Sequence, residues 1–349
     1  MTDFRNIGQS RIELHPEINL FCGPNGAGKT SILEAIFVLS RAQSFRTSQL
    51  KQCIRHGNES FVLFGAFEDY RAGLSRDQKN LSIQVDGMPV KRRSELAKKS
   101  PVNVVNTETL SLIEGPPEKR RNFLDWCLFH VEPTYIDNWV AYQHALKQRN
   151  RLLKARQDLA LLDYWDRHLA ESAGPIHLLR ERYTAKLDRL IKNDLNRLIE
   201  DLPVELHYSP GWVEGASLLE SLQCDRDRDQ RAGYTHSGIH RSDLMFRIEG
   251  RSAGTLLSRG QSKRFCLGLM LAALKLVGEN GGGNVSLLID DLNSELDVAS
   301  QAMVYRELEG LDLQLFISSI DTTLPASLKE KDFKMFHLEN GIIKAKGFS

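Results

Sequence analysis

Two short motifs at opposite ends of a 349-residue chain constrain its fold more than anything between them: Gly23-Pro24-Asn25-Gly26-Ala27-Gly28-Lys29-Thr30 and Leu257-Ser258-Arg259-Gly260-Gln261. The first fits G-x-x-x-x-G-K-[ST], in which glycines let backbone N–H groups curl around phosphates and a helix N-terminus faces their charge. Its flanks agree. Ile18-Asn19-Leu20-Phe21-Cys22 has the length and apolar character of a buried strand, and Ile32, Leu33, Ala35, Ile36, Phe37 and Leu39 recur at helical spacing behind the loop. In such a loop Lys29 neutralises the β- and γ-phosphates, Thr30 offers its hydroxyl to Mg²⁺, and Ser31 begins the shielded part of the helix. Gly23 through Ser31 are therefore the expected ligands of ATP and Mg²⁺.

A phosphate loop alone leaves the machine open, and distal motifs narrow it. Val285-Ser286-Leu287-Leu288-Ile289 reads as a strand that ends in Asp290-Asp291, which suits carboxylates at the C-terminal edge of a sheet beside the phosphates. Asp290 is expected to hold the Mg²⁺ shell through water, and Asp291 stands where a general base or water-orienting group is needed. Taken alone, the Asp pair fits equally well a turn that prefers Asp. Downstream, Ser294-Glu295-Leu296-Asp297 resembles the D-loop of ABC-type ATPases, and Leu257 to Gln261 opens a predicted helix over Ser262–Val277. Ser258 is a natural N-cap, and the amides of that first turn form a second anion site. In the ABC superfamily this motif of one protomer closes over the γ-phosphate held by the other. The resemblance thus implies an ATP-dependent, two-fold homodimer in which Ser258, Gly260 and Gln261 complete the partner's site.

The fold expected is α/β: an ABC-type P-loop ATPase head, a mixed sheet with helices, interrupted by an inserted helical arm domain. Residues 1–110 form the first part of the head, 111–204 the arm, and 205–349 the second part with the closing motif, the acidic strand and the D-loop. Phe61–Phe67 and Leu81–Val90 look like strands, with a hairpin turn at Asp86-Gly87, and suggest an antiparallel edge on the head. From about Pro116 to Ile199 the pattern turns helical, with helices predicted over Tyr142–Leu161 and Ile176–Ile199. Asp225-Arg226-Asp227-Arg228-Asp229 reads as an exposed loop, and Asn280 to Asn284 as a flexible connector.

Composition suits a water-soluble machine. No apolar stretch approaches a membrane span and no signal peptide is recognisable, so a cytoplasmic location is expected. Five scattered cysteines lack metal-ligand spacing and read as reduced, mostly buried small residues. A net charge of +1 makes no case for nucleic acid, but Lys91-Arg92-Arg93, Lys98-Lys99, Lys119-Arg120-Arg121 and Lys147 to Arg156 are local basic clusters. These fit a phosphate-contacting face and a solvated helix face equally well. With no base-reading helix recognisable, DNA contact would be backbone-directed.

Nearly the whole chain resembles the RecF family of SMC-like ABC-type ATPases. The likeness rests on Asp3-Phe4-Arg5-Asn6, Ser44-Phe45-Arg46, Arg120-Arg121-Asn122-Phe123-Leu124-Asp125-Trp126, Lys147-Gln148-Arg149-Asn150, Trp165-Asp166, and Gly238, His240, Arg241 and Asp243. It implies an ATP-dependent dimer that binds single/double-strand DNA junctions and works with RecO and RecR to load RecA at gaps, with roles in replication restart and the SOS response. Arg46 and Glu108 are further residues near the nucleotide on this resemblance. Ile239 stands where the family usually has proline, and His240 reads as either a structural or a catalytic histidine. The family usually has one more strand before Asp3, so either the start codon lies upstream or the sheet lacks an edge strand.

Two departures from ABC ATPases at large bear on rate. Phe316-Ile317-Ser318-Ser319 supplies only hydroxyls where many carry a γ-phosphate-sensing histidine, and Asp291 replaces a longer glutamate. Both predict slow hydrolysis, and together with the DNA binding that the resemblance implies the expectation is a slow, DNA-dependent ATPase. Two mechanisms remain open: hydrolysis that releases DNA, or a nucleotide-switched clamp in which hydrolysis is incidental. An ATPase subunit of another ABC system is a third reading, disfavoured by the helical insertion.

Overall fold

The computed structural model of the chain describes residues 1–155, 159–193, 203–280, 285–290, 313–320 and 332–346. Its first stretch supplies β1 (Thr2–Phe4), β2 (Ile7–Gln9), β3 (Ile18–Cys22), α1 (Lys29–Arg41), β4 (Ser60–Ala66), β5 (Arg71–Asp77), β6 (Leu81–Val85), β7 (Met88–Pro89), α2 (Arg93–Lys99) and β8 (Val102–Val105). The middle supplies α3 (Ser111–Glu114), α4 (Pro117–Val131), α5 (Tyr135–Ala155), α6 (Leu159–Asn193), β9 (Glu205–Ser209), α7 (Leu218–Cys224), α8 (Arg226–Ala232), β10 (Asp243–Ile248), β11 (Arg251–Ser252), α9 (Ala253–Leu256) and α10 (Arg259–Glu279). The last stretch adds β12 (Val285–Ile289), β13 (Leu313–Ser319), β14 (Phe333–Glu339) and β15 (Ile342–Lys346). Two compact units result, residues 1–109 with 274–349, and residues 110–273.

In the first unit, the described strands of one sheet run in the order β15-β14-β3-β13-β12-β8, parallel except for β15. A parallel sheet is covered on both faces, so its strands are mostly apolar rather than alternating. β3 and β12 follow this: every residue is buried, and each has one polar side chain, Asn19 and Ser286. A second, antiparallel sheet runs β2-β1-β4-β5-β6-β7 and buries one face only: along β4, Phe61 and Leu63 point inward while Val62 and Phe64 are exposed.

Helix α1 lies between the two. Its Ile32, Leu33 and Phe37 pack with Phe21, Phe316 and Phe336 of the parallel sheet, and its Ala35 and Val38, with Ala42 just past its end, pack with Phe4, Phe61 and Leu74 of the other. The expected antiparallel edge is therefore a separate sheet. β5 escapes sequence reading because only Ala72 and Leu74 mark its inward face among glycine, serine and charged residues. The Asp86-Gly87 turn forms as expected, with φ of 52° and 79°, the paired positive values of a tight hairpin.

In the second unit, helices begin elsewhere than predicted. α5 starts seven residues before Tyr142 and is described to Ala155, and α6 is described from Leu159 through Pro175 to Asn193, well ahead of the predicted start at Ile176. Pro175 lacks the amide that would bond the Glu171 carbonyl, but its ring is exposed, so one lost bond does not end a helix packed along its length. Residues 194–199 of the predicted helix lie outside the described residues. The unit also extends past the expected arm boundary at 204, because the sheet β11-β10-β9 is tied to the helices. Leu206 N–H donates to Asp188 at 3.0 Å, and Arg120 grips Asp243 with two bonds of 2.8 and 2.9 Å.

Asp225 to Asp229 is not an exposed loop. It enters α8, whose Asp229 is fully buried and accepts from Arg149 Nη1 at 2.6 Å. Arg149 also donates to Asp166 at 2.6 Å and Thr235 at 2.8 Å, while Arg226 binds Asp166 at 2.7 Å and Asp163. An alternating charge run hid a helix with one buried carboxylate. Of the proposed connector, Asn280 closes α10 by donating to the Leu276 carbonyl at 2.6 Å, and residues 281–284 lie outside the described residues. All five cysteines are free, four of them buried. Among the described residues no helix is long and apolar enough to cross a membrane.

Candidate nucleotide site

The turn from β3 into α1 needs its glycines for specific reasons. Gly23 has φ 154°, and a Cβ there would lie 2.2 Å from the Leu338 carbonyl oxygen of β14. Gly28 has φ 111° and sits against the Asn6 side chain. The loop is pinned from outside: Gly23 N–H donates to Ser319 O at 3.3 Å, Gly341 N–H donates to Ala27 O at 3.0 Å, and Asn6 Nδ2 donates to Gly26 O at 3.1 Å. Pro24 and Asn25 complete the turn. α1 then begins at Lys29 with no side-chain cap, leaving first-turn amides for an anion. Ser31 is buried and donates to Asn6 Oδ1 at 2.9 Å.

Lys29 is also buried, and its ammonium donates to the Gly23 and Pro24 carbonyls at 2.7 and 3.0 Å. Across from it, at the end of β12, Asp290 Oδ1 accepts from Thr30 Oγ1 at 3.0 Å and from Ser318 Oγ at 2.8 Å. A carboxylate and two hydroxyls drawn together beside a phosphate loop are the oxygen donors a hard divalent cation prefers. The set fits Mg²⁺. These groups open into one cleft of about 860 Å³ whose rim includes Arg5, Phe45, Arg46 and Glu108. Sequence reading had placed Arg46 and Glu108 near the nucleotide, and both face this cleft. Asp291 and the Ser294-Glu295-Leu296-Asp297 segment lie outside the described residues.

Two residues of the cleft wall, Arg5 and Asn6, and one buried behind it, Glu34, carry no ligand-binding signature in the sequence. Arg5 and Asn6 sit in the tight turn between β1 and β2, where no spacing rule links them to the loop they hold. Glu34 is buried on α1 and bonds Arg5, Ser44 and Arg46. Its signal was present as the one acid in an otherwise apolar helical run.

The second motif belongs to the second unit and forms a capping box: Gln261 N–H donates to Ser258 Oγ at 3.3 Å, and Ser258 N–H donates to Gln261 Oε1 at 2.9 Å. Ser258 and Gly260 are exposed, and space around Gly260 is open. Gln261 thus shapes the helix start while Ser258 and Gly260 face outward.

His240 is structural. Its Nε2 lies 3.1 Å from the Thr235 carbonyl, which can only accept, so Nε2 carries the proton and Nδ1 accepts from the Tyr142 hydroxyl at 2.6 Å. Burial pushes its pKa down to about 4. The basic clusters divide: Lys91 to Arg93, Lys98, Lys99, Lys147, Arg151 and Lys154 are exposed, whereas Arg120, Arg121 and Arg149 point inward to Asp243, the Ser242 carbonyl and the buried carboxylates.

The family described as the RecF/RecN/SMC N terminal domain matches residues 1–344. A DNA replication and repair protein RecF from Chromohalobacter salexigens is 38% identical over 97% of this chain and 96% of its own length. The solved structure of "the recombination mediator protein RecF-ATP in RecFOR pathway" superposes with a TM-score of 0.85 at 27% identity, covering 99% of this chain and 95% of that one. An Smc head bound to the C-winged helix domain of ScpA shares the fold alone, with a TM-score of 0.56 and 14% identity over 100% of this chain and 95% of that one. A P-loop head of SMC-like, ABC-type architecture and full-length likeness to curated RecF proteins lead to one assignment: the chain belongs to the RecF family.

Proposed function

We propose that the chain is an ATP-dependent, DNA-binding recombination mediator that dimerises on ATP and engages single/double-strand junctions at gaps through the DNA backbone. With RecO and RecR it promotes RecA loading in repair, replication restart and SOS induction, in the cytoplasm. The observation that carries this reading is the convergence of Lys29, Thr30, Asp290 and Ser318 on one cleft at the phosphate loop, in a chain whose relatives are named for DNA replication and repair.

In this mechanism loop amides and Lys29 take the phosphates of ATP. Lys29 exchanges two neutral carbonyl acceptors for anionic oxygens, which form stronger bonds with an ammonium. Thr30 and Asp290 would hold Mg²⁺, which neutralises phosphate charge and polarises the phosphoryl group when bound. Ser258 and Gly260 close the partner's site, and Asp291 orients the attacking water. Because Ser318 cannot carry a histidine's charge, turnover is slow and the ATP-bound clamp is long-lived.

Sedimentation of wild type and Ser258→Arg, with and without ATP and gapped DNA, tests the dimer. Wild type should sediment as a dimer with ATP, and Ser258→Arg as a monomer with unchanged ATP affinity. A wild-type monomer under every condition would remove the clamp. Asp291→Asn separates the two mechanisms: a dimer trapped on DNA with repair abolished requires hydrolysis, whereas unimpaired repair leaves only the switch.

A further inference from the structure

Glu34 is fully shielded from solvent on the helix that follows the phosphate loop. A buried carboxylate is costly unless paired and hydrogen-bonded, and this one accepts from several sides at once. Arg5 grips it fork-on-fork, with Nε to Oε2 at 2.8 Å and Nη2 to Oε1 at 2.6 Å. The Ser44 hydroxyl and Cys53 thiol donate to Oε1, and Arg46 Nη1 reaches Oε2 at 3.4 Å. Burial pushes the Glu34 pKa upward, but Arg5, Ser44 and Arg46 outweigh it and hold the carboxyl below its usual range.

The two arginines are held in different ways. Arg5 is 21% exposed, and its remaining Nη1 donates to the Gln52 carbonyl at 2.9 Å, so it is locked. Arg46 is 47% exposed on the cleft rim, and among the described residues its guanidinium makes only the long contact to Glu34. Its backbone is nevertheless fixed: Ser44 Oγ, while donating to Glu34, accepts from Arg46 N–H at 2.9 Å and Thr47 N–H at 3.1 Å. The turn is ordered while the charged end stays loose.

We propose that Glu34 is a positioning residue: through the Ser44 turn and a weak ion pair it presents the Arg46 guanidinium, oriented but readily released, to the phosphate oxygens of a bound nucleoside triphosphate. The inference rests on the nucleotide reading above. A guanidinium tied by a full bidentate pair, as Arg5 is, would have to break two charged hydrogen bonds before meeting a phosphate. Arg46 has one long contact to give up. The locked Arg5 balances most of the Glu34 charge, so Glu34 stays satisfied when Arg46 leaves.

Affinities of the full chain for ATP, ADP and adenosine test this in wild type, Lys29→Ala, Arg46→Ala, Ser44→Ala, Glu34→Gln and the double variant Glu34→Gln/Arg46→Ala. Arg46→Ala and Glu34→Gln should each weaken ATP about tenfold, the scale of one charged hydrogen bond, and leave adenosine unchanged. The double variant should be no weaker than the worse single, because Glu34 acts through Arg46. Additive losses, or wild-type ATP affinity in a folded Glu34→Gln, would overturn the assignment. If Glu34→Gln does not fold, Ser44→Ala decides: it uncovers no charge, and a roughly threefold loss for ATP alone is expected, with no loss refuting the role. Wild type that binds ATP and loses it in Lys29→Ala, with Glu34 and Ser44 variants unaffected, sinks the positioning role only. Wild type with no ATP affinity removes the nucleotide reading together with it.

Discussion

At Gly238 the backbone has φ 143°, and a Cβ would lie 2.4 Å from the hydroxyl of the fully buried Tyr142. Tyr142 cannot withdraw, since it is bonded to His240. Gly238→Ala should therefore cost about 1–3 kcal/mol, read as a lower urea midpoint at unchanged slope. His240 itself gives a pH dependence. Its folded pKa of about 4 lies below the ordinary histidine value, so protons favour the unfolded chain. Stability from this group is fully present above pH ~6.5 and is lost as pH falls towards about 4, by roughly 3 kcal/mol in all. Thermal midpoints of wild type should drop across that window, and those of His240→Gln should drop less. At this scale the sequence pointed to Lys29, Thr30 and Asp290, whose types and spacing follow from phosphate and cation chemistry and which line one cleft. It did not show Asn6 or Glu34, which act on the loop through contacts made only once the β1–β2 turn and the Ser44 turn reach α1.

Helices α5, α6 and α8 are joined by Arg149, whose guanidinium bonds two fully buried carboxylates, Asp166 and Asp229. Arg149→Met leaves both with fewer partners and should destabilise by roughly 3–5 kcal/mol in urea unfolding, because an uncompensated buried charge dominates the loss. ATP affinity should be unchanged. Charge runs were the least legible elements: Arg149 sits in a basic cluster and Asp229 in an alternating one, and both read as surface. A single buried charge in a helix leaves no mark in composition, and its partner is 80 residues away. Strands β3 and β12 were legible because parallel strands covered on both faces read as nearly continuous apolar runs, broken here only by Asn19 and Ser286. β5 was not, since a half-exposed strand dilutes its pattern with glycine and serine.

For the molecule as a whole, the division into a nucleotide-binding unit and a helical one was legible from the change in periodicity near Pro116. The extent of the second unit was not, because Arg120–Asp243 and Asp188–Leu206 join residues far apart in sequence. The sheet order carries a different consequence. β3 is flanked by β13 and β14, so both neighbours of the strand that launches the phosphate loop lie ~300 residues downstream. During translation at ~5–20 residues per second, the largely apolar β3 waits about 15–60 s for either partner. Ribosome-bound chains halted before Leu313 should accordingly be cut by protease within Ile18–Cys22 and fail to retain ATP, and release of the full chain should abolish both effects. Loop closure then serves as a completeness check: a chain abandoned midway presents an unpaired, sticky strand to holding chaperones and no working ATP pocket to compete with intact copies.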